Sequence, residues 1–328
     1  FAPNYGLNLN RLDIPVNPYD AFKCDVPNMS TSLYFVVNDA FYKKALPKAE
    51  LPEGVFVGSL ADFSTNAAFG KVSAMYCQLA DDKDAITSLN TMLAQDALLI
   101  YFPKGVKVDR TLQVINILRS DVDLMVNRRV LIYLEDRAEA RILFCDHAAD
   151  DRNFLTTQVV EVMVGDGAHL DMTCLEETHY KNVRVSNVYI HQQANSRVDH
   201  NVITLHNGVT RNRTDLVFSG EGAECYMNGC TIEDRQQHVD NNTLIDHRVP
   251  HCSSQELYKY VVDEQAVGAF AGRVLVRKDA QKTASQMTNQ NLCATKQARM
   301  FTQPMLEIYA DDVKCAHGST VGQLNDKA

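Results

Sequence analysis

Residues 304–322, PMLEIYADDVKCAHGSTVG, set a thiol two residues from an imidazole. Lys314 precedes Cys315, and Gly318 follows His317. On an extended strand Cys315 and His317 project to one face, their roots roughly 6–7 Å apart. Thiolate and imidazole both ligate a soft metal or cluster iron, and a neighbouring ammonium favours the thiolate. Two protein ligands do not close a metal site, so another part of this chain or a partner must complete it. The same residues also fit a nucleophilic thiol, or a plain strand end with a buried cysteine beside a surface histidine. Spacing alone leaves these readings open.

Other chemistry is thinner. His238, His247 and His251 cluster in HVDNNTLIDHRVPHCSS, with Asp240, Asp246 and Cys252 nearby. Two histidines and a carboxylate can hold a metal, but no H-E-x-x-H spacing occurs. On alternating strands His247 and His251 share a face, as do Asp240 and Asp246. The plainer reading is a polar outer face with hydrogen-bonded histidines. A carboxylate pair for glycoside cleavage keeps a β-helix carbohydrate-active enzyme, lyase or hydrolase, as the alternative. Against it, the chain has no Trp to stack on sugars. The P-loop, the dinucleotide G-x-G-x-x-G before a helix, and G-x-S-x-G are all missing.

The elements that must carry these residues are mostly strands. Residues 1–30 are rich in Asn and Pro and predict extended loop, residues 33–37 and 55–60 short strands, and residues 41–50 stay ambiguous. Residues 84–94, DAITSLNTMLA, put apolar side chains at 85, 86, 89, 92 and 93, which predicts a helix capped by Asp84. From Ala97 onward short β-rich runs recur about every ten residues with turn residues between them. The chain therefore divides into an N-terminal mixed segment, 1–96, and a β tract, 97–328.

Within that tract, turns ending in Ala recur near 138, 168, 194, 223, 266 and 280. The early spacing suits a solenoid coil, small residues suit corners where coils stack, and the later gap breaks the period. A β-sandwich competes, but a parallel β-helix fits the pattern better. Thr288, Asn289 and Asn291 resemble the polar ladders inside such coils, or else are turn residues. The fold class is mainly β, a right-handed parallel β-helix core with a small N-terminal α/β segment.

Composition narrows the partners. A net charge of −9 argues against nucleic acid, and no apolar run of spanning length argues against a membrane helix. Nine cysteines without a C-x-x-C pair read as mostly reduced, several as small core residues, which points to the cytoplasm. The opening FAPNYG, with neither Met nor an apolar leader, reads as a trimmed fragment and not a signal peptide.

Several long segments carry one resemblance. HVDNNTLIDHRVPHCSSQELYKYVVDEQAVGAFAGRVLVRKDAQKTASQMTNQNL, PMLEIYADDVKCAHGSTVGQL, FAPNYG, ILxSDxDLMVNRRVLIYLED, CDHAAD and NGVTRNRTDLVFSGEGAE together resemble the SufB/SufD family of SUF-system iron–sulfur cluster assembly proteins. The SufD branch is nearer than the SufB branch. The resemblance implies a β-helix between helical end segments, acting as a non-catalytic scaffold subunit. It implies pairing with a SufB-like paralogue through the β-helix, and with a SufC-like ABC-type ATPase through a C-terminal helical region. It implies an iron–sulfur cluster or iron held transiently and shared with the partner, none bound tightly by the isolated chain. His317 in KCAHG matches the interface histidine of the SufD side, with Cys315 in support. The chain stops at Ala328 and starts at Phe1 where family members carry helical segments, so the ATPase-docking segment is expected to be absent. A homodimer of the isolated chain is a further expectation.

Overall fold

The computed structural model describes residues 31–44, 46–47 and 50–324. The extended loop expected over 1–30, with Cys24, lies outside these residues.

Alternation of apolar and polar residues gives each strand an inward and an outward face. Among the described residues, ten strands form a first sheet and nine a second. The strands of the β tract alternate between the sheets, and each pairs in parallel with the strand one coil earlier. The result is a parallel β-solenoid of about 8 turns with 57% of residues in strands, so the class is mainly β, as the sequence predicts. Antiparallel additions close the N-terminal end: Ala40–Phe41 lies on Ser32–Val37, and Phe56–Ser59 on Leu98–Phe102. The opposite end is bounded by Lys314–Gln323 in the first sheet and Arg299–Ile308 in the second. Each of these is paired along one edge only among the described residues.

The N-terminal segment adds two α-helices, α1 (Phe69–Ser73) and α2 (Ala85–Leu93). Phe63, Val72 and Met75 pack on Leu99 and Leu131 of the second sheet's outer face. Asp84 caps α2 as predicted, its carboxylate accepting from the Thr87 N–H at 2.8 Å. The buried side of α2 departs from the apolar pattern, because Thr87 and Asn90 lie inside and Met92 is 73% exposed. The sheet under α2 is polar, so the helix docks through hydrogen bonds. The Thr87 and Tyr189 hydroxyls lie 2.8 Å apart, and Asn90 donates to the Arg128 carbonyl at 2.9 Å.

One corner explains the recurring small residue. Ala138, Ala168, Ser196, Ala223 and Cys252 each precede the first-sheet strand of successive coils, all buried. Ser196, not Ala194, holds that place in its coil. Ala266 belongs to the opposite corner, before Val267–Val276, and Ala280 falls early in a longer turn. The interval that breaks the period is therefore a change of corner. Inside, Asn289 and Asn291 face the lumen, while Thr288 faces outward.

Candidate functional site

Cys315 and His317 lie on the last strand, Lys314–Gln323, beside Ser285 and Met287 of Ala284–Cys293. Both neighbours are buried, so Cys315, His317, Ser319 and Val321 occupy the inward phase of the coil. No further coil covers that phase among the described residues, leaving Cys315 half-buried and His317 and Val321 exposed. The two side chains share a face, as their spacing predicts.

That face ends two columns running through the first sheet. One passes through Met172, His200, Met227, Glu256 and Met287 to His317. The other passes through Val198, Cys225, Ser254 and Ser285 to Cys315. Farther along the last coil the two sheets are braced together. The Thr302 hydroxyl donates to Asn289 Oδ1 at 2.7 Å and lies 2.9 Å from the Ser319 hydroxyl.

Burial raises the Cys315 thiol above its ordinary value, and the Ser285 backbone works in the opposite direction. Lys314 corrects the sequence reading: it is exposed on the opposite phase of the strand and is not among the groups that favour the thiolate. Sequence reasoning missed Ser285 and Met287, the residues under the pair. The coil length was the signal that could have found them, since each stands one coil earlier.

The histidine cluster does not converge. Strand His238–His247 ends at His247, which faces the lumen, and His251 lies in the following turn with φ of 62°. The shared face expected of His247 and His251 is therefore not formed. Asp246 is engaged by Arg248 and Arg277 at 2.8 and 2.9 Å. No group of three or more metal-ligating side chains occurs among the described residues.

Two surface grooves have room for a glycan and a carboxylate pair. The larger, about 780 Å³ beside His206 and Gln237, holds one carboxylate, Glu264. The smaller, about 600 Å³, holds Asp84 and Asp215, both paired with Arg213. Neither presents two free carboxylates for glycoside cleavage.

Among the described residues eight cysteines form no disulfide, with Cys145, Cys225, Cys252 and Cys293 buried in the solenoid. No helix of the described residues is long and apolar enough to cross a membrane.

Comparison with known proteins gives the same picture along the whole chain. The SufBD core domain of SUF-system iron–sulfur cluster assembly matches residues 117–328, and the SufBD protein N-terminal region matches residues 1–114. An iron–sulfur cluster assembly SufBD family protein of Synechocystis is 25% identical over 315 residues, covering 91% of this chain and 68% of the relative. The iron–sulfur cluster assembly protein SufD of Escherichia coli is 29% identical over 288 residues, 84% of this chain and 66% of the relative. A chloroplastic protein of Arabidopsis thaliana is 26% identical over 307 residues, 89% of this chain and 63% of the relative. The chain thus spans about two thirds of the length of these relatives. With a core-domain match over most of its length and the solenoid to carry it, the chain belongs to the SufBD family of SUF-system iron–sulfur cluster assembly proteins.

Proposed function

We propose that the chain is a non-catalytic scaffold subunit that pairs through its open solenoid end with a SufB-like paralogue. The observation that supports this reading is the last described coil, on which no further coil is stacked among the described residues. Its two outer strand edges have no ladder partner among the described residues, which suits pairing with another chain, and Cys315 and His317 stand on its inward phase. Two ligands are too few for iron, and the partner's side chains would add the rest. The cargo, iron or a nascent cluster, is then shared across the junction and held only transiently. Thiolate and imidazole suit it chemically. A SufC-like ATPase is the further partner in this reading.

Anaerobic reconstitution of the full-length protein with its SufB-like partner, iron and a sulfide source tests it. His317→Ala and Cys315→Ala should each lower the cluster yield read by visible absorbance while leaving the complex assembled. Wild-type yield in both variants would overturn the ligand assignment.

A further inference from the structure

Cys77 brings a sulfur of the N-terminal segment against a buried cation of the solenoid. Its N–H donates to Glu161 Oε2 at 2.9 Å. Its sulfur lies 3.5 Å from Arg129 Nη2 and 4.0 Å from the Thr91 hydroxyl. Arg129 belongs to strand Leu124–Leu134 and Thr91 to α2, so three separate stretches converge on this one sulfur. Cys77 is only half-buried, and solvent reaches it.

The guanidinium beside it is short of an acceptor. The Arg129 side chain is 0% exposed, and the Tyr76 ring covers it with its centroid 4.7 Å from Cζ. Nη1 donates to the Thr91 hydroxyl at 2.9 Å and Nη2 to Glu161 Oε2 at 2.5 Å. Nε has no hydrogen-bond partner among the described residues. Nε and Nη2 lie along one edge of the rigid guanidinium fork, and such an edge suits an oxyanion. A buried donor left unpaired is rare and marks a place with a further role. A thiol sulfur is a weak acceptor, whereas an oxygen carried by that sulfur is a strong one.

We propose that Cys77 is a site of reversible oxidation by hydrogen peroxide, at which Arg129 holds the sulfenate oxygen. In the step the peroxide O–O bond breaks and an S–O bond forms. The sulfur loses two electrons to the peroxide, whose second oxygen leaves as water with the thiol proton. Once the sulfenic proton passes to solvent, the oxygen is a charged acceptor for the guanidinium. A dithiol reductant reverses the change, releasing that oxygen as water and becoming a disulfide. The same guanidinium holds Glu161, which accepts the N–H groups of Cys77, Leu79 and Ala80. The modification therefore sits on the joint between the N-terminal segment and the solenoid.

The test treats the reduced full chain with hydrogen peroxide in excess dimedone, which traps sulfenic acid, and reads each cysteine by peptide mass spectrometry. Cys230 is the internal reference, since it is exposed where Cys77 is half-buried. Exposure alone puts more label on Cys230. The Arg129 contact puts at least about tenfold more on Cys77, as expected for one bond to a charged acceptor. Arg129→Lys keeps the charge beside Glu161 but loses the fork, and should lower the Cys77 label about tenfold. In a parallel sample, dithiothreitol added between peroxide and dimedone should return Cys77 to the thiol. Label on Cys230 equal to or above that on Cys77 in the unmutated chain overturns the proposal, whether or not the variant folds. An undiminished Cys77 label in an Arg129→Lys chain that is folded by circular dichroism also overturns it. So does a gain of two or three oxygen atoms at Cys77 that dithiothreitol does not remove.

Discussion

Met287 and His317 are ladder neighbours in the same inward column, yet Met287 is 0% exposed and His317 is open to solvent. A single coil separates a core position from a surface one. His200 of the same column is 0% exposed because coils lie on both sides of it, whereas no coil lies beyond His317 among the described residues.

This contrast separates stability from function. Met287→Ala should cost about 2–5 kcal/mol, the usual range for emptying a buried methionine site. His317→Ala should stay within about 0.5 kcal/mol of the parent, as exposed substitutions do. Urea unfolding of both variants checks the pair. A large loss in His317→Ala would mean that the imidazole is packed and that its functional phenotype is confounded by folding.

Gly229 stands beside Tyr258 in the ladder, and a Cβ added there would lie 2.1 Å from the Tyr258 ring. That ring is 1% exposed and stacked 4.9 Å from Phe270, so it has no free space to move into. Gly229→Ala should therefore destabilise by about 1–3 kcal/mol or more through overpacking. A thermal melt reads it, and Gly229→Ala combined with Tyr258→Leu should recover part of the loss.

Much of this architecture is legible in the sequence because it follows from period. Cys315 and His317 share a face by the strand repeat of two, and Ala138, Ala168 and Ala223 mark one corner by the coil repeat. What escapes is contact between coils. Ser254 and Ser285 meet across 31 residues, and no local pattern announces that one hydroxyl lies on another. The polar interior escapes for a related reason. Arg128, Asp146 and Arg184 form buried ion pairs at 2.5 and 3.2 Å, and charges at inward positions look like surface until their partners are known. The same effect misassigns the buried face of α2, where Thr87 and Asn90 replace the apolar residues.

Glu256, 2% exposed between Met227 and Met287, makes stability depend on pH. Burial pushes its carboxyl from 4.5 up to about 7, only partly opposed by the Thr243 hydroxyl. The folded chain therefore keeps this proton up to about pH 7, whereas the unfolded chain releases it near 4.5. Between those values the unfolded state binds fewer protons, so stability falls as pH rises and levels off above pH 7. The displacement corresponds to on the order of 3 kcal/mol across the window. Glu256→Gln should flatten that slope without abolishing it, since Glu176 and Glu233 are also raised, to about 7 and about 8. Urea unfolding at about pH 5 and about pH 8 measures the difference, and an unchanged slope would mean that Glu256 is solvated.

Glu161 fastens the N-terminal segment to the solenoid. It pairs with Arg129, both side chains 0% exposed, and accepts the backbone N–H groups of Cys77, Leu79 and Ala80 at 2.9, 2.9 and 3.1 Å. Glu161→Ala leaves a buried guanidinium without its counter-charge, a loss of about 3–5 kcal/mol. The damage should be local first. Limited proteolysis should cut within 77–84 while the coils from Arg197 onward remain resistant, and simultaneous loss of both regions would contradict this division.

The open edge gives the sharpest test of partner pairing. The Lys314 N–H donates to the Thr283 carbonyl at 2.9 Å, and the Leu324 N–H to the Cys293 carbonyl at 3.1 Å. By the strand period of two, even-numbered residues of Lys314–Gln323 turn their N–H groups toward the preceding strand, and odd-numbered ones turn them outward. Val321, 51% exposed, is outward in this sense. Proline is tolerated on an edge strand when the missing N–H faces away from the sheet. Val321→Pro should therefore leave the isolated chain within about 1 kcal/mol of the parent, whereas Thr320→Pro breaks a ladder bond and should cost about 3 kcal/mol. Affinity for the SufB-like partner, measured by sedimentation, should drop at least about tenfold in Val321→Pro, from one lost inter-chain hydrogen bond and the added ring. Undiminished affinity would mean that the partner docks elsewhere than on this strand.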